Sequence, residues 1–322
     1  MPERVQPSGR ERAEVERRRR LLLSGLGLAG LVAFVIGVVS GAGGGDPADP
    51  VDDAEAAPVA ELPGGGTTIL PDRRVVAYYG APRDPALGTL GIGTPDEMAE
   101  RLDKQARPYD TEKQPVLPAM ELISTVAAQE PGETGDYNLQ EPKALIEKYH
   151  AAARAAGAIL ILDIQPGHAD FMSEVRRLEE FLVEPDVSLA LDPEWHVRPP
   201  DVPGAVIGSV DAAEVNEVSA YLDDLVASQN LPQKLLILHR FTPNMVADVE
   251  TLEPRDNLAI VLNSDGFSDP VNKVAKYDEL RPRGPTDEFY PGFKLFYEED
   301  FPLMTPEEVL DLKHPPDFIV YE

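Results

Sequence analysis

Residues 158–195 read AILILDIQPGHADFMSEVRRLEEFLVEPDVSLALDPEW. Ala158 to Ile164 is a short apolar run interrupted only by Asp163, which is the length and composition of a buried strand. Ala169 to Val183 carries apolar residues at helical spacing, and Val187 to Leu191 is again a strand. Strand, helix, strand in this order means parallel neighbours, because a parallel pair needs a crossover connection.

Outward from this unit the same alternation continues. Val75 to Tyr79 is the first strand, and Thr94-Pro95-Asp96-Glu97 opens a helix with capping-box spacing and proline at N1. Val116 to Ile123 is the second, followed by a helix from Glu141 to Ala156 that Gly157 ends. After the fourth strand come a Pro-rich excursion from Arg198 to Gly208 and a helix from Ala212 to Ser228. Lys234 to His239 is the fifth strand, with a short helix near Met245 to Thr251. Leu258 to Asn263 is the sixth, and Asp269-Pro270 caps the helix that ends near Leu280. Phe293 to Tyr297, a helix opening at Thr305-Pro306-Glu307-Glu308, and Phe318 to Tyr321 complete the series. Eight strands with helices between them predict an α/β protein, a (β/α)8 TIM barrel over residues 72–322. No Gly-x-Gly-x-x-Gly follows the first strand, against the open dinucleotide-binding alternative. The missing eighth helix leaves one flank for the preceding segment to cover.

Ahead of the barrel, residues 1–20 form a basic tail and residues 21–40 carry no charge. Such a run makes a helix of roughly 30 Å, the thickness of a bilayer core. Arg17 to Arg20 keep the tail cytoplasmic, so the expectation is a single-pass anchor with the barrel on the extracytoplasmic side; cleavage by a signal peptidase at the small residues after Val39 is the alternative. Residues 41–71, rich in Gly, Ala, Pro and Asp, read as a flexible linker.

The net charge is −28, and the first twenty residues carry seven Arg and four Glu, a net +3, which leaves −31 for the rest. So acidic a domain repels nucleic acid. The chain has no cysteine, so disulfides and thiolate zinc are excluded, and neither His-x-His nor His-Glu-x-x-His occurs. No motif calls for a cofactor or a metal.

Reacting groups in such barrels sit at the C-terminal ends of the strands. Polar and aromatic residues gather there: Tyr79, Glu121, Asp163, Gln165, Asp192, Glu194, His239, Asn263, Asp265, and Glu298 with Glu299. A single carboxylate in that place is usually a cap; the gathering is what points to chemistry. Strand period two puts Asp192 and Glu194 on one side, with the small residues Ser188 and Ala190 behind them. Two adjacent carboxylates raise one another's pKa, which leaves one protonated as general acid. Trp195 and Tyr297 offer faces for a sugar to stack on, and His239 a hydrogen bond.

Leu189-Ala190-Leu191-Asp192-Pro193-Glu194 resembles the Asp-x-Glu that ends the fourth strand in family 18 chitinases and family 25 lysozymes. The resemblance implies that Glu194 is the general acid and that Asp192 orients an acetamido group acting as nucleophile. It departs from the longer chitinase pattern at Val187 and Ala190, and the first strand lacks the acidic residue of the lysozymes. A second arrangement pairs Glu194 with Glu299, whose parity with Phe293, Leu295 and Tyr297 is expected to face it inward.

The leading reading is a membrane-anchored glycoside hydrolase-like barrel acting on a glycan or other cell-envelope polymer. Two alternatives stay open: a barrel that binds a glycan or envelope protein without catalysis, and a metal-dependent hydrolase using Glu121, Asp163, Asp192, His239 and Asp265. Arg198 and Arg240 are the cations at hand to offset repulsion of anionic wall polymers.

Overall fold

The computed structural model describes residues 59–322. The expected tail, anchor and first part of the linker, residues 1–58, lie outside them, and no described helix is long and apolar enough to cross a membrane.

Eight parallel strands close on themselves. In chain order they are β1 (Arg74–Gly80), β2 (Val116–Ala127), β3 (Ile159–Ile164), β4 (Val187–Leu191), β5 (Lys234–Arg240), β6 (Leu258–Ser264), β7 (Tyr290–Leu295) and β8 (Phe318–Tyr321). Each pairs with its sequence neighbours, and β8 pairs with β1 through Val75 against Phe318 and Tyr78 against Tyr321. The result is a TIM-like barrel. Between the strands lie α1 (Pro95–Ala106), α2 (Lys143–Ala155), α3 (Phe171–Arg177), α4 (Glu179–Leu182), α5 (Ala212–Ser228), α6 (Pro270–Leu280) and α7 (Pro306–Leu310).

Local chemistry sets the helix starts. The Thr94 and Thr305 hydroxyls each accept from the backbone N–H three residues on, and Glu97 and Glu308 close the boxes. Asp269 caps α6 through the amide of Asn272. Two expected elements differ. The helix predicted over Ala169 to Val183 breaks into α3 and α4 at Leu178. Between β5 and β6 the expected helix is replaced by two 3-10 turns around a two-residue strand. Within that stretch Asp248 takes a left-handed backbone with φ 53°, which interrupts helical geometry between the two turns.

Strand alternation divides the apolar residues into two bodies. Val76, Met120, Leu160, Leu189, Leu236, Ile260, Phe293 and Ile319 point outward and pack under the helices. Val75, Ala77, Leu117, Ala119, Ile161, Ala190, Ile237, Val261 and Val320 fill the interior. The floor of that interior is not made by the strands. Leu62, Ile69 and Leu70, all buried, join the inner body, and the amides of Ile69 and Leu70 both donate to the Gln233 side chain at 2.8 and 3.0 Å. The packed unit therefore begins about ten residues before the expected boundary at position 71, and this segment plugs the N-terminal end instead of covering a flank. Apolar side chains exposed at the open end of the inner body are what draw it in.

Candidate active site at the C-terminal mouth

Inward parity carries each strand's last polar residue over the apolar interior. Tyr79 follows Val75 and Ala77, Glu121 follows Leu117 and Ala119, Asp163 follows Ile159 and Ile161, and His239 follows Leu235 and Ile237. Asp192 continues the row of Ser188 and Ala190, and its amide donates to the Ile164 carbonyl at 3.0 Å. Tyr79, Glu121, Asp163, Asp192, His239, Asn263 and Asp265 are all buried, none more than 5 % exposed.

His239 is the hub. Its Nε2 lies 2.9 Å from Glu121 Oε1 and its Nδ1 lies 3.1 Å from Asp265 Oδ2, with the Asn263 amide 3.2 Å from Nδ1. Burial opposes a charge on this ring. The Glu121 carboxylate and the hydrogen bonds to Asp265 and Glu121 overcome it and hold the pKa well above its ordinary value. An imidazolium thus donates from both nitrogens.

Beside it stands a residue the sequence reading did not select. Lys294, fully buried, donates to Asp265 Oδ2 at 3.1 Å, pairs with Glu322 at 2.8 Å and lies 3.6 Å over the Tyr79 ring. Two cations interleaved with carboxylates make the burial of so much charge tolerable. The available signal was Lys294 between Phe293 and Leu295, a lone charge in a strand otherwise apolar at its centre.

On the other side Tyr79 donates its hydroxyl to Asp163 Oδ2 at 2.9 Å and accepts from the Gln165 amide at 3.1 Å. Burial pushes the Asp163 carboxyl well above the usual carboxylate range. His239 works against that, while the charges of Asp192 and Glu121 reinforce it. Burial and the same surrounding carboxylates also raise the Tyr79 hydroxyl far above its normal value, so it remains a donor.

The other expected residues do not continue the strand rows. Strand geometry stops at Leu191, and Pro193–Trp195 is a 3-10 turn, so period two does not align Glu194 with Asp192. Proline at the first position of the turn ends the strand. Glu194 and Trp195 are each 3 % exposed, which removes Trp195 as an open stacking platform. Gly208 presses against this turn and its amide donates to the Glu194 carbonyl at 2.7 Å; a Cβ there would meet three carbonyl oxygens at 2.4 to 2.6 Å.

The parity expected at the seventh strand is reversed. Phe293 and Leu295 face the helices, and Gly292 and Lys294 face the interior. Tyr297 lies outside the barrel, stacked on Tyr321 at 5.2 Å and bonded to Gln105 at 2.7 Å. Glu299 is half-buried, four residues past the end of β7. The exposed Arg198 pairs with Asp211 at 3.7 Å.

Glu121, Asp163 and His239 each offer a ligand atom, all within 4.8 Å of one another. Glu121 Oε2 and Asp163 Oδ1 are buried acceptors without a hydrogen-bond donor. A divalent cation suits those oxygens, but it would have to displace the proton from His239 and share the space with the Lys294 charge. As arranged, the cations are already supplied by side chains.

Buried charge also occurs at the N-terminal end, where none was expected, but there it is saturated. Arg154 binds both oxygens of Asp186 at 2.6 and 2.8 Å, and Lys234 donates to the carbonyls of Glu184 and Val187. Acceptors left open distinguish the mouth.

No protein-family model matches this chain, and no match is found among curated proteins. Its function rests on the residues themselves.

Proposed function

We propose that this protein is a glycoside hydrolase-like enzyme that cleaves a cell-envelope glycan by carboxyl acid/base chemistry at the mouth of its barrel. One arrangement carries the reading: the buried Asp163 carboxyl, which accepts from the Tyr79 hydroxyl at 2.9 Å, has its proton affinity raised by burial and by the neighbouring Asp192 and Glu121 carboxylates. Pairs of carboxyls with divergent proton affinity are how one site supplies an acid and a charged partner at the same pH. In this reading Asp163 donates the proton to the departing oxygen and Asp192 is its partner carboxyl. Tyr79 orients Asp163, and the Glu121, His239, Asp265 and Lys294 chain supplies the positive charge that keeps the surrounding acids in place. The glycan class comes from the Asp192-Pro193-Glu194 resemblance, and the location from Arg17 to Arg20 preceding the uncharged run 21–40.

That resemblance gives the acid role to Glu194, so Asp163→Asn and Glu194→Gln separate the assignments. With the full chain and chitin-type or peptidoglycan oligosaccharides, release of reducing ends should fall about 10²–10⁴-fold in Asp163→Asn. Full activity in that variant, with loss only in Glu194→Gln, would transfer the role; no release by the wild type would sink the hydrolase.

A second reading is favoured by the closure of the mouth. Phe241 and Trp195 are only 2 % and 3 % exposed and the acid cluster beneath them is itself buried, as suits a barrel that binds without turnover. Glycan binding isotherms with no product formed would select it.

A further inference from the structure

The last two residues of β5 point to opposite faces: His239 turns into the barrel, and Arg240 turns outward against Leu262, a member of the outer apolar body. There Arg240 forms the back wall of a cleft of about 370 Å³, bounded by the 243–250 loop, the end of α6 and residues 281–286. Arg240 as a whole is only 5 % exposed, yet its guanidinium makes no hydrogen bond and no ion pair within 4.0 Å to any described residue. Nε is wholly buried without a partner. Buried guanidinium groups are ordinarily saturated by acceptors, because a desolvated charge left unbalanced is strongly unfavourable.

No acceptor within bonding range meets that need. Burial lowers the Arg240 pKa to about 10 and the Arg283 charge adds to the effect, with Glu279 opposing, so the group is still a cation at neutral pH. Arg283, on the exposed rim, gives one side-chain bond, to the Asp278 carbonyl, and Arg281 is engaged by Asp278 and the Pro282 carbonyl. Asp248, Glu250 and Glu279 also line the cleft, but none pairs with Arg240 or Arg283.

We propose that this cleft is a second binding site, for a small dianionic oxyanion of the phosphate class, with Arg240 as its buried anchor and Arg283 closing over it from the rim. Two arginines that repel one another are both neutralised by a dianion, whereas a monoanion leaves one uncompensated. The planar fork of arginine matches tetrahedral oxyanions through paired N–H donors. The volume accommodates a phosphoryl group with a modest substituent. The β5 backbone separates this ligand from the acid cluster, so it is not the species acted on at the mouth.

Inorganic phosphate is the probe, titrated into the full chain by calorimetry and by thermal unfolding, with acetate at equal ionic strength as the monoanion. A single saturable phosphate site should appear that acetate does not fill. Arg240→Met should weaken it at least about tenfold and abolish the phosphate-dependent rise in Tm. Without phosphate, that variant should be at least as stable as the wild type, since an unbalanced buried charge has gone. Arg283→Gln, altered at an exposed position, should fold normally and also bind more weakly, which keeps the test intact if Arg240→Met does not fold. The site is refuted if phosphate does no more than acetate, or if both variants bind it like the wild type.

Discussion

Replacing Lys294 by Met tests whether the polar cluster is held by charge balance. The Lys294 ammonium meets Asp265 at 3.1 Å and Glu322 at 2.8 Å with no solvent exposure of its own. Methionine nearly fills the volume, so the cavity contribution is small and the change is mainly electrostatic. Removing one partner from a buried ion pair costs about 3–5 kcal/mol, and loss of the cation over the Tyr79 ring adds up to about 2 kcal/mol. Glu322, at the chain end and partly exposed, recovers hydration and offsets some of this. A net loss of about 3–5 kcal/mol corresponds to a Tm lowered by roughly 6–20 °C for a domain of this size. Urea unfolding gives the free energy and calorimetry the Tm. Pairing the change with Asp265→Asn should restore more than about 1 kcal/mol, because the two sites share one interaction. A loss below about 1 kcal/mol, or strict additivity in the double variant, would refute the balance argument.

Three further outcomes are expected. Asp163 and His239 both bind protons more tightly folded than unfolded, so their stabilisation is complete below their unfolded values and is lost as pH rises through the higher folded ones. Asp163→Asn should therefore gain stability relative to the wild type as pH rises above about 4, in urea titrations run at a series of pH values; a constant difference would contradict the neutral carboxyl. Gly208→Ala places a methyl against the carbonyls of Pro193, Glu194 and His196 and should cost about 1–3 kcal/mol while lowering any activity that depends on the turn; an unchanged unfolding midpoint would show that the turn yields. Leu70→Ala should cost about 2–5 kcal/mol in urea unfolding if residues 62–70 truly seal the barrel, and under about 1 kcal/mol if they only lie against it.

The eight-strand order was legible because each strand is a short apolar run between turn signals and each helix begins at a local cap. Thr94, Asp269 and Thr305 bond only to residues three positions away, so their roles need no tertiary information. The gathering of Tyr79, Glu121, Asp163, Asp192, His239 and Asp265 was equally readable, since parallel strands deliver all their C-terminal ends to one side. Aligning Glu194 with Asp192 carried strand parity past Pro193, where the strand has given way to a 3-10 turn, and Trp195 is buried where an open platform was expected. Glu299 and Tyr297 were misplaced because Phe293 and Leu295 are apolar enough for either face, and only packing under the helices shows which one they take.

The sequence by itself determined the alternation of strands and helices, the parallel sheet and the side on which its polar ends collect, all consequences of local periodicity and of the crossover rule. What the tertiary structure alone decided is which charges meet: Lys294 reaching Asp265, His239 bridging Glu121 and Asp265, and Leu62 to Leu70 flooring the barrel. The Glu121–His239 contact joins residues 118 positions apart, where closure of the barrel, not local propensity, sets the distance. The same closure leaves Arg240 buried on the outer face with no acceptor of its own.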